Sequence, residues 1–218
     1  MARRPYTEFL GFANKLDTAT QIKLLGIFNV GYVVSFAPLA AEGITPVAQF
    51  PQYFSWLYKI DRAVPRVYVV GTFLVEKNRE QTLRRLAAPS FDPAQEVILD
   101  QDLEIAPHRA SVGHATIVRY ENHAVTVHAS LNESGIMVLA DSHYPGWKAY
   151  VGGVEVPIVR ANYFFRAVTL APGQHVVEFK YEPQSFKIGL WVSLLTIMGL
   201  VAVTLLLFIR ADKAPPME

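Results

Sequence analysis

Residues 136–181 read IMVLADSHYPGWKAYVGGVEVPIVRANYFFRAVTLAPGQHVVEFKY, and their pattern decides the fold. The run Ile136-Met137-Val138-Leu139-Ala140 is apolar without interruption, as a central strand buried on both faces would be. Residues 147–151 and 154–159 flank Gly152-Gly153, a pair suited to the positive φ angles of a type I′ hairpin. Residues 164–170 and 175–181 flank Ala171-Pro172-Gly173-Gln174, which reads as a second hairpin. In the last strand Val177, Phe179 and Tyr181 share one face, while Glu178 and Lys180 share the other. Short strands at this spacing predict an antiparallel β-sandwich.

Working upstream, residues 115–120 and 124–129 alternate well and predict a hairpin through Glu121-Asn122. Before that the pattern is α+β. Thr18 and Gln21 fit a capping box for a short helix carrying Ile22, Leu25 and Phe28. Residues 32–36 and 53–60 read as strands, with Pro38 and Pro46 marking a loop between them. Residues 67–70 are continuously apolar. Glu76 to Ala87 favours helix, with Glu80 and Arg84 four apart and Leu83 and Leu86 facing inward. Residues 97–99 lie in a loop-rich connection bracketed by Pro93 and Pro107.

Working downstream, residues 188–209 read IGLWVSLLTIMGLVAVTLLLFI, without a charge. A hydrocarbon core of about 30 Å needs roughly 20 such residues as a helix. Trp191 and Phe208 suit the two interfaces. Gly189 and Gly199 are not at the four-residue spacing of a GxxxG motif. The expected organisation is therefore an α+β region over 1–107, a sandwich over 108–183, a transmembrane helix over 184–210 and a short tail over 211–218. The fold class is mainly β with one C-terminal membrane helix.

Composition narrows the function classes. Half of the 218 residues are apolar (51%), enough for a sizeable core, and the net charge of +1 argues against a nucleic-acid partner. There is no cysteine, which excludes disulfides, thiolate metal sites and cysteine nucleophiles. Neither G-x-G-x-x-G after a strand nor a Walker loop is present. Lys180 and Lys187 before the span balance Arg210 and Lys213 after it, so charge does not orient it. The N-terminus has no apolar stretch of signal-peptide length. Taken alone, that leaves the β region in the cytoplasm.

Leu139 to Leu190 carries a family resemblance. Tyr144-Pro145-Gly146-Trp147, Gly153 through Pro157, Ala161-Asn162-Tyr163 with Phe165-Arg166-Ala167, Pro172-Gly173 and Tyr181-Glu182-Pro183 lead directly into the membrane helix. This ordered set resembles the C-terminal region of the YfhO family of bacterial multi-pass membrane proteins. Leu24-Leu25 through Tyr32-Val33-Val34, Pro65-Arg66-Val67 and Phe91-Asp92-Pro93 agree more loosely. The resemblance implies a polyprenyl-phosphate-sugar-dependent, glycosyltransferase-like protein of the cell envelope, with this domain on the extracytoplasmic side. It places the acting carboxylates in loops of an N-terminal helical array, so no catalytic residue carries over to this chain. The chain is then expected to be a fragment of a longer protein or to work beside a helical membrane partner.

Four sets of residues are candidates for chemistry. Asp100, Asp102 and Glu104 alternate in DQDLE and would share a strand face, where carboxylates can hold a hard cation; a solvated polar face explains them more simply. Asp141, Ser142 and His143 have the residue types of a hydrolase triad, but adjacent strand residues point to opposite faces. The histidines, His108, His114, His123, His128, His143 and His175, lack the i, i+4 helical pairing of a zinc site. The aromatic cluster is the remaining candidate. Tyr144, Trp147, Tyr150 and Tyr163 would stack on a sugar, with Asn162 and Arg166 donating hydrogen bonds to hydroxyl or phosphate oxygens. Against this, Trp147 and Phe165 equally suit a core, and Pro145-Gly146 a tight turn.

The expectation is an accessory, scaffolding or glycan-binding module, with membrane lipid, a helical partner and an envelope glycan as its partners. No cofactor and no metal is expected. The alternatives are a free-standing enzyme built from distant residues, such as the DQDLE carboxylates or the histidines, and a truncated, non-functional product.

Overall fold

The computed structural model describes residues 3–103 and 112–212. Glu104, His108, Lys213 and the tail beyond Asp212 lie outside the described residues. Residues 1–180 make one unit and residues 181–218 a second.

The first unit opens with α1 (Arg3–Ala13) and α2 (Thr18–Ile27). The cap of α2 is Asp17 rather than Thr18: its carboxylate accepts from the Thr20 amide at 3.0 Å and from the Thr20 hydroxyl at 2.6 Å. Gln21 instead donates to the Ala13 and Leu16 carbonyls, fastening the α1–α2 connection. Next come β1 (Tyr32–Ser35), β2 (Ile44–Phe50) and β3 (Ser55–Ile60), an antiparallel sheet in the order β1-β3-β2. The stretch around Pro46, expected as a loop, is strand β2. Proline is tolerated there because β2 is an edge strand with a register shift between Pro46 and Ala48.

The chain continues through β4 (Val67–Val70), β5 (Thr72–Val75), α3 (Arg79–Ala87) and β6 (Glu96–Leu99). As expected, Glu80 and Arg84 pair at 2.6 Å, and Leu83 and Leu86 are buried. Beyond the undescribed segment follow β7 (Gly113–Tyr120), β8 (Ala124–Leu131), β9 (Gly135–Ser142), β10 (Trp147–Val151), β11 (Val154–Val156), β12 (Val159–Ala161), β13 (Phe165–Leu170) and β14 (Gly173–Tyr181). Five strands order as β11-β10-β14-β8-β7 and six as β4-β9-β13-β12-β6-β5. Among the described pairings only β5 with β6 is parallel. The six-stranded sheet thus takes strands from both sides of residue 107.

The two sheets pack face to face. Val125 and Val127 of β8, Ala149 of β10, and Val177 and Phe179 of β14 meet Met137 and Leu139 of β9 and Val168 and Leu170 of β13. The other face of the six-stranded sheet is covered as well. Ile136, Val138, Phe165 and Ala167 pack with Val64 and Tyr68, while Leu24, Ile27, Leu83 and Leu86 of the helices close over Ile98 of β6 and Tyr163. That second cover explains the unbroken apolar run in β9, which has no solvent face on which to place a polar residue.

One expected hairpin is not there. β10 and β11 do form the hairpin at Gly152-Gly153, with φ of 57° and 85°. Strand β13, however, pairs with β9 and β12, while β14 pairs with β8 in the other sheet. Pro172-Gly173 reverses the chain between layers, because turn chemistry specifies a reversal and not the sheet that the next strand enters.

The second unit is α4 (Gln184–Asp212). Its uncharged stretch of residues 188–209 spans about 33 Å at 1.5 Å per residue, matching a hydrocarbon core of about 30 Å. Thr196 and Thr204 donate their hydroxyls to the carbonyls of Val192 and Leu200, both at 2.8 Å. Their polarity is therefore satisfied within the helix, as lipid requires. This helix is long and apolar enough to cross a membrane.

Candidate functional site

The six residues expected to bind a glycan go to different places. Tyr144-Pro145-Gly146-Trp147 is a turn in which the Trp147 amide donates to the Tyr144 carbonyl at 3.3 Å. Gly146 has φ 102°, the glycine position of a type II turn, with Pro145 before it. The turn leaves Tyr144 46% exposed. Strand alternation then points Trp147 and Val151 into the sandwich and Tyr150 outward, where the Lys180 ammonium lies 5.3 Å from its ring centre.

Asn162 and Tyr163 both have positive φ, 44° and 74°, in the turn from β12 to β13. Asn162 is fully buried. Its Oδ1 accepts from the Ile98 amide at 2.9 Å, its Nδ2 donates to the Tyr68 hydroxyl at 3.0 Å, and its own amide donates to the Ile98 carbonyl at 2.7 Å. The side chain thus extends the ladder of β6, and its complete burial keeps it from a sugar in solvent. Burial pushes the Tyr68 phenol well above its usual value, so it stays protonated. Tyr163 is also buried, with its hydroxyl 3.2 Å from the Pro5 carbonyl and 3.1 Å from Glu8 Oε2. Phe164 and Phe165 join Phe9 and Phe28 in an edge-to-face cluster.

Arg166 occupies the least expected position. It is 2% exposed, between the sheets, with its guanidinium carbon 3.8 Å from the centre of the Trp147 indole and 5.4 Å from that of Phe179. Its Nη2 donates to Asp141 Oδ2 at 2.9 Å. Its Nε and Nη1 meet no acceptor among the described residues; the indole face stands in for one. Burial lowers the affinity of Arg166 for its proton, and Asp141 opposes that shift.

A bulge brings Asp141 there. Phe165 pairs with Ser142, but Arg166 pairs with Leu139, so Ala140 and Asp141 bulge out of the β9–β13 ladder. The Asp141 carboxylate also accepts Arg66 Nε and Nη2 on Oδ1, at 3.1 and 2.9 Å. The Tyr120 hydroxyl lies 3.1 and 3.2 Å from its two oxygens. Arg66 stacks 4.9 Å over the Tyr120 ring. Burial, then Asp141, hold the Tyr120 phenol above its usual value and keep it a donor. One carboxylate therefore ties β9, β13 and the entry to β4 to β7 of the opposite sheet.

Neither the triad nor the acidic strand is assembled. Among the described residues no hydrogen bond joins Asp141 to Ser142 or His143. β6 ends at Leu99, so Asp100 and Asp102 leave the strand: Asp100 pairs with Arg160 at 3.5 Å, and Asp102 Oδ1 accepts the Leu103 amide at 3.0 Å. No group of three histidine, aspartate or glutamate side chains is placed to hold a metal among the described residues.

His143 sits partly buried near Arg160 and Arg166, and burial first, then Arg160, lower its pKa from the ordinary 6.5. The unfolded chain therefore takes up this proton before the folded one does. Stability from this position is present above about pH 6.5 and lost as the pH falls below it. His143→Gln is expected to flatten that acid limb, measured as melting temperature between pH 7.5 and 5.

A cleft of about 1050 Å³ lies elsewhere, lined by α2 and the loops before β4 and after α3. Pro65 and Phe91-Asp92-Pro93 are among its walls, with Ile22, Ile60 and Tyr68. Lys23 stands in its lining and donates to the Ala88 carbonyl. Burial lowers the Lys23 pKa, with Asp92 and Glu96 opposing. None of the six aromatic-cluster residues reaches it.

Residues 99–193 match the family model described as bacterial membrane protein YfhO. The match includes Asp141, Asn162 and Arg166 and runs into α4. No curated protein and no solved structure matches the chain.

Proposed function

We propose, on the premise that residues 99–193 match the model of the bacterial membrane protein YfhO, that this chain is an extracytoplasmic β-domain held at the cell membrane by α4. It serves a helical, glycosyltransferase-like partner as a scaffold beside the acceptor path in cell-envelope glycosylation. One observation carries this reading: the matched stretch joins a sandwich to a helix of membrane-spanning length through only Glu182 and Pro183. Of the polar side chains inside that stretch, Asp141 and Arg166 bond each other, and Asn162 bonds Ile98 and Tyr68. They support a rigid body better than a turnover site.

Glycan contact in this reading falls to Tyr144 and Tyr150, which remain toward solvent. Tyr144→Ala/Tyr150→Ala is expected to weaken binding of envelope glycan several-fold while leaving the melting temperature unchanged. Trp147→Ala is expected to lower the melting temperature. Sugar transfer is expected only when the chain is combined with the helical partner. Turnover by the chain alone overturns the scaffold role. A β-domain cut by protease only after cell lysis overturns the extracytoplasmic side.

A further inference from the structure

The sheet β1-β3-β2 belongs to neither layer of the sandwich, and burial falls steeply along it. At one end Ile60 and Tyr58 of β3 are 3% and 5% exposed. Toward the other end the chain emerges, and Phe54 is 76% exposed. The pairings Ser35 with Trp56 and Phe50 with Ser55 bring the end of β1 and the β2–β3 turn to this same tip. There Phe36 and Tyr53 are 80% and 69% exposed, beside Phe50. On the adjoining sheet face Tyr32 and Val34 are exposed as well, opposite Lys59 and Leu57. Phe54 also holds a left-handed backbone, φ 47°, which turns the chain sharply at the apex.

The charge pattern is as unusual as the exposure. Glu42 is the only charged residue between Lys23 and Lys59, and it lies next to Gly43 at the base of β2, away from the tip. An aromatic tip on a stretch without a charged residue from 43 to 58 is costly to leave in water. Phenylalanine with tyrosine, glutamine and proline is the composition of a membrane interface, where ring bodies enter lipid and hydroxyl groups stay wet. A bilayer is also at hand: two residues separate β14 from the helix of spanning length, so the globular unit cannot leave the membrane surface.

We infer that the tip formed by Phe36, Phe50, Tyr53 and Phe54 is a membrane-interface anchor that dips into one leaflet of the bilayer. The inference rests on the reading of α4 as a membrane helix and not on the glycan reading. It gives the globular unit a second hold on the membrane, so that its orientation is set by two points and not by one.

The absence of cysteine makes the test direct. Single-cysteine variants Phe36→Cys, Phe54→Cys and Val154→Cys of the full chain, labelled with an environment-sensitive fluorophore, are reconstituted in proteoliposomes. Val154 is 68% exposed in β11 and serves as the aqueous reference. Labels at 36 and 54 are expected to be quenched by lipids carrying a shallow acyl-chain nitroxide, and to be quenched by aqueous iodide several-fold less than the label at 154. Iodide quenching equal to that at 154 overturns the inference. So does protection from iodide without lipid quenching, which would mean that protein covers the tip.

Discussion

Asp141→Ala is expected to destabilise the globular unit by about 3–5 kcal/mol, the range for breaking one side of a buried ion pair. Arg166 is enclosed by Trp147 and Phe179, and two of its donors already lack an acceptor among the described residues. Without Asp141 the guanidinium would be a buried charge with no carboxylate, and water cannot reach it without opening the sandwich. Removing Arg66 is a different matter. Its side chain is 48% exposed and re-hydrates readily, so Arg66→Ala is expected to cost about 1 kcal/mol or less. The decisive comparison is Asp141→Ala/Arg166→Met, which removes the stranded charge and fills its space with a flexible apolar chain. The double variant is expected to recover at least half of the loss. Denaturant unfolding of the full chain in detergent, followed by near-ultraviolet circular dichroism, measures all three. A loss at Asp141 no larger than that at Arg66 would remove the assigned role.

Asn162→Ala is expected to cost about 3–7 kcal/mol. It would leave the Ile98 amide and the Tyr68 hydroxyl unpaired in the core, each about 1–3 kcal/mol. It would also place alanine, which tolerates the left-handed region less well than asparagine, at φ 44°, roughly 1 kcal/mol more. Asn162→Gly relieves the backbone cost but not the polar one, and is expected to fall about 1 kcal/mol short of alanine. Tyr68→Phe removes a single bond and is expected to cost about 1–2 kcal/mol. The ordering Ala, then Gly, then Tyr68→Phe distinguishes a ladder-completing amide from a ligand donor. If Asn162 served a sugar instead, its alanine variant would keep its melting temperature and lose glycan binding.

These variants locate the difference between local and tertiary information in the chain. The strands of residues 115–120, 124–129 and 147–151 were legible from alternation and from Gly152-Gly153, because side-chain period and turn geometry are properties of neighbouring residues. The helix of residues 184–212 was legible from length and absence of charge alone. Strand β2 was not, because Pro46 reads as loop until β3 lies beside it. The roles of Asn162 and Arg166 were hidden in the same way. Both look like surface donors in sequence, and both are core groups because their partners lie far off in the chain: Tyr68 is 94 residues from Asn162, and Asp141 is 25 from Arg166.

What the amino-acid sequence determined by itself was the membrane-length apolar helix, the plainly alternating strands and the Gly152-Gly153 turn, since these follow from periodicity and hydropathy along the chain. Only the tertiary structure decided that β13 and β14 part into opposite sheets, that a bulge turns Asp141 inward, and that an uncharged aromatic tip stays uncovered. Burial is a property of what packs against a residue, and that is settled by strands many residues apart.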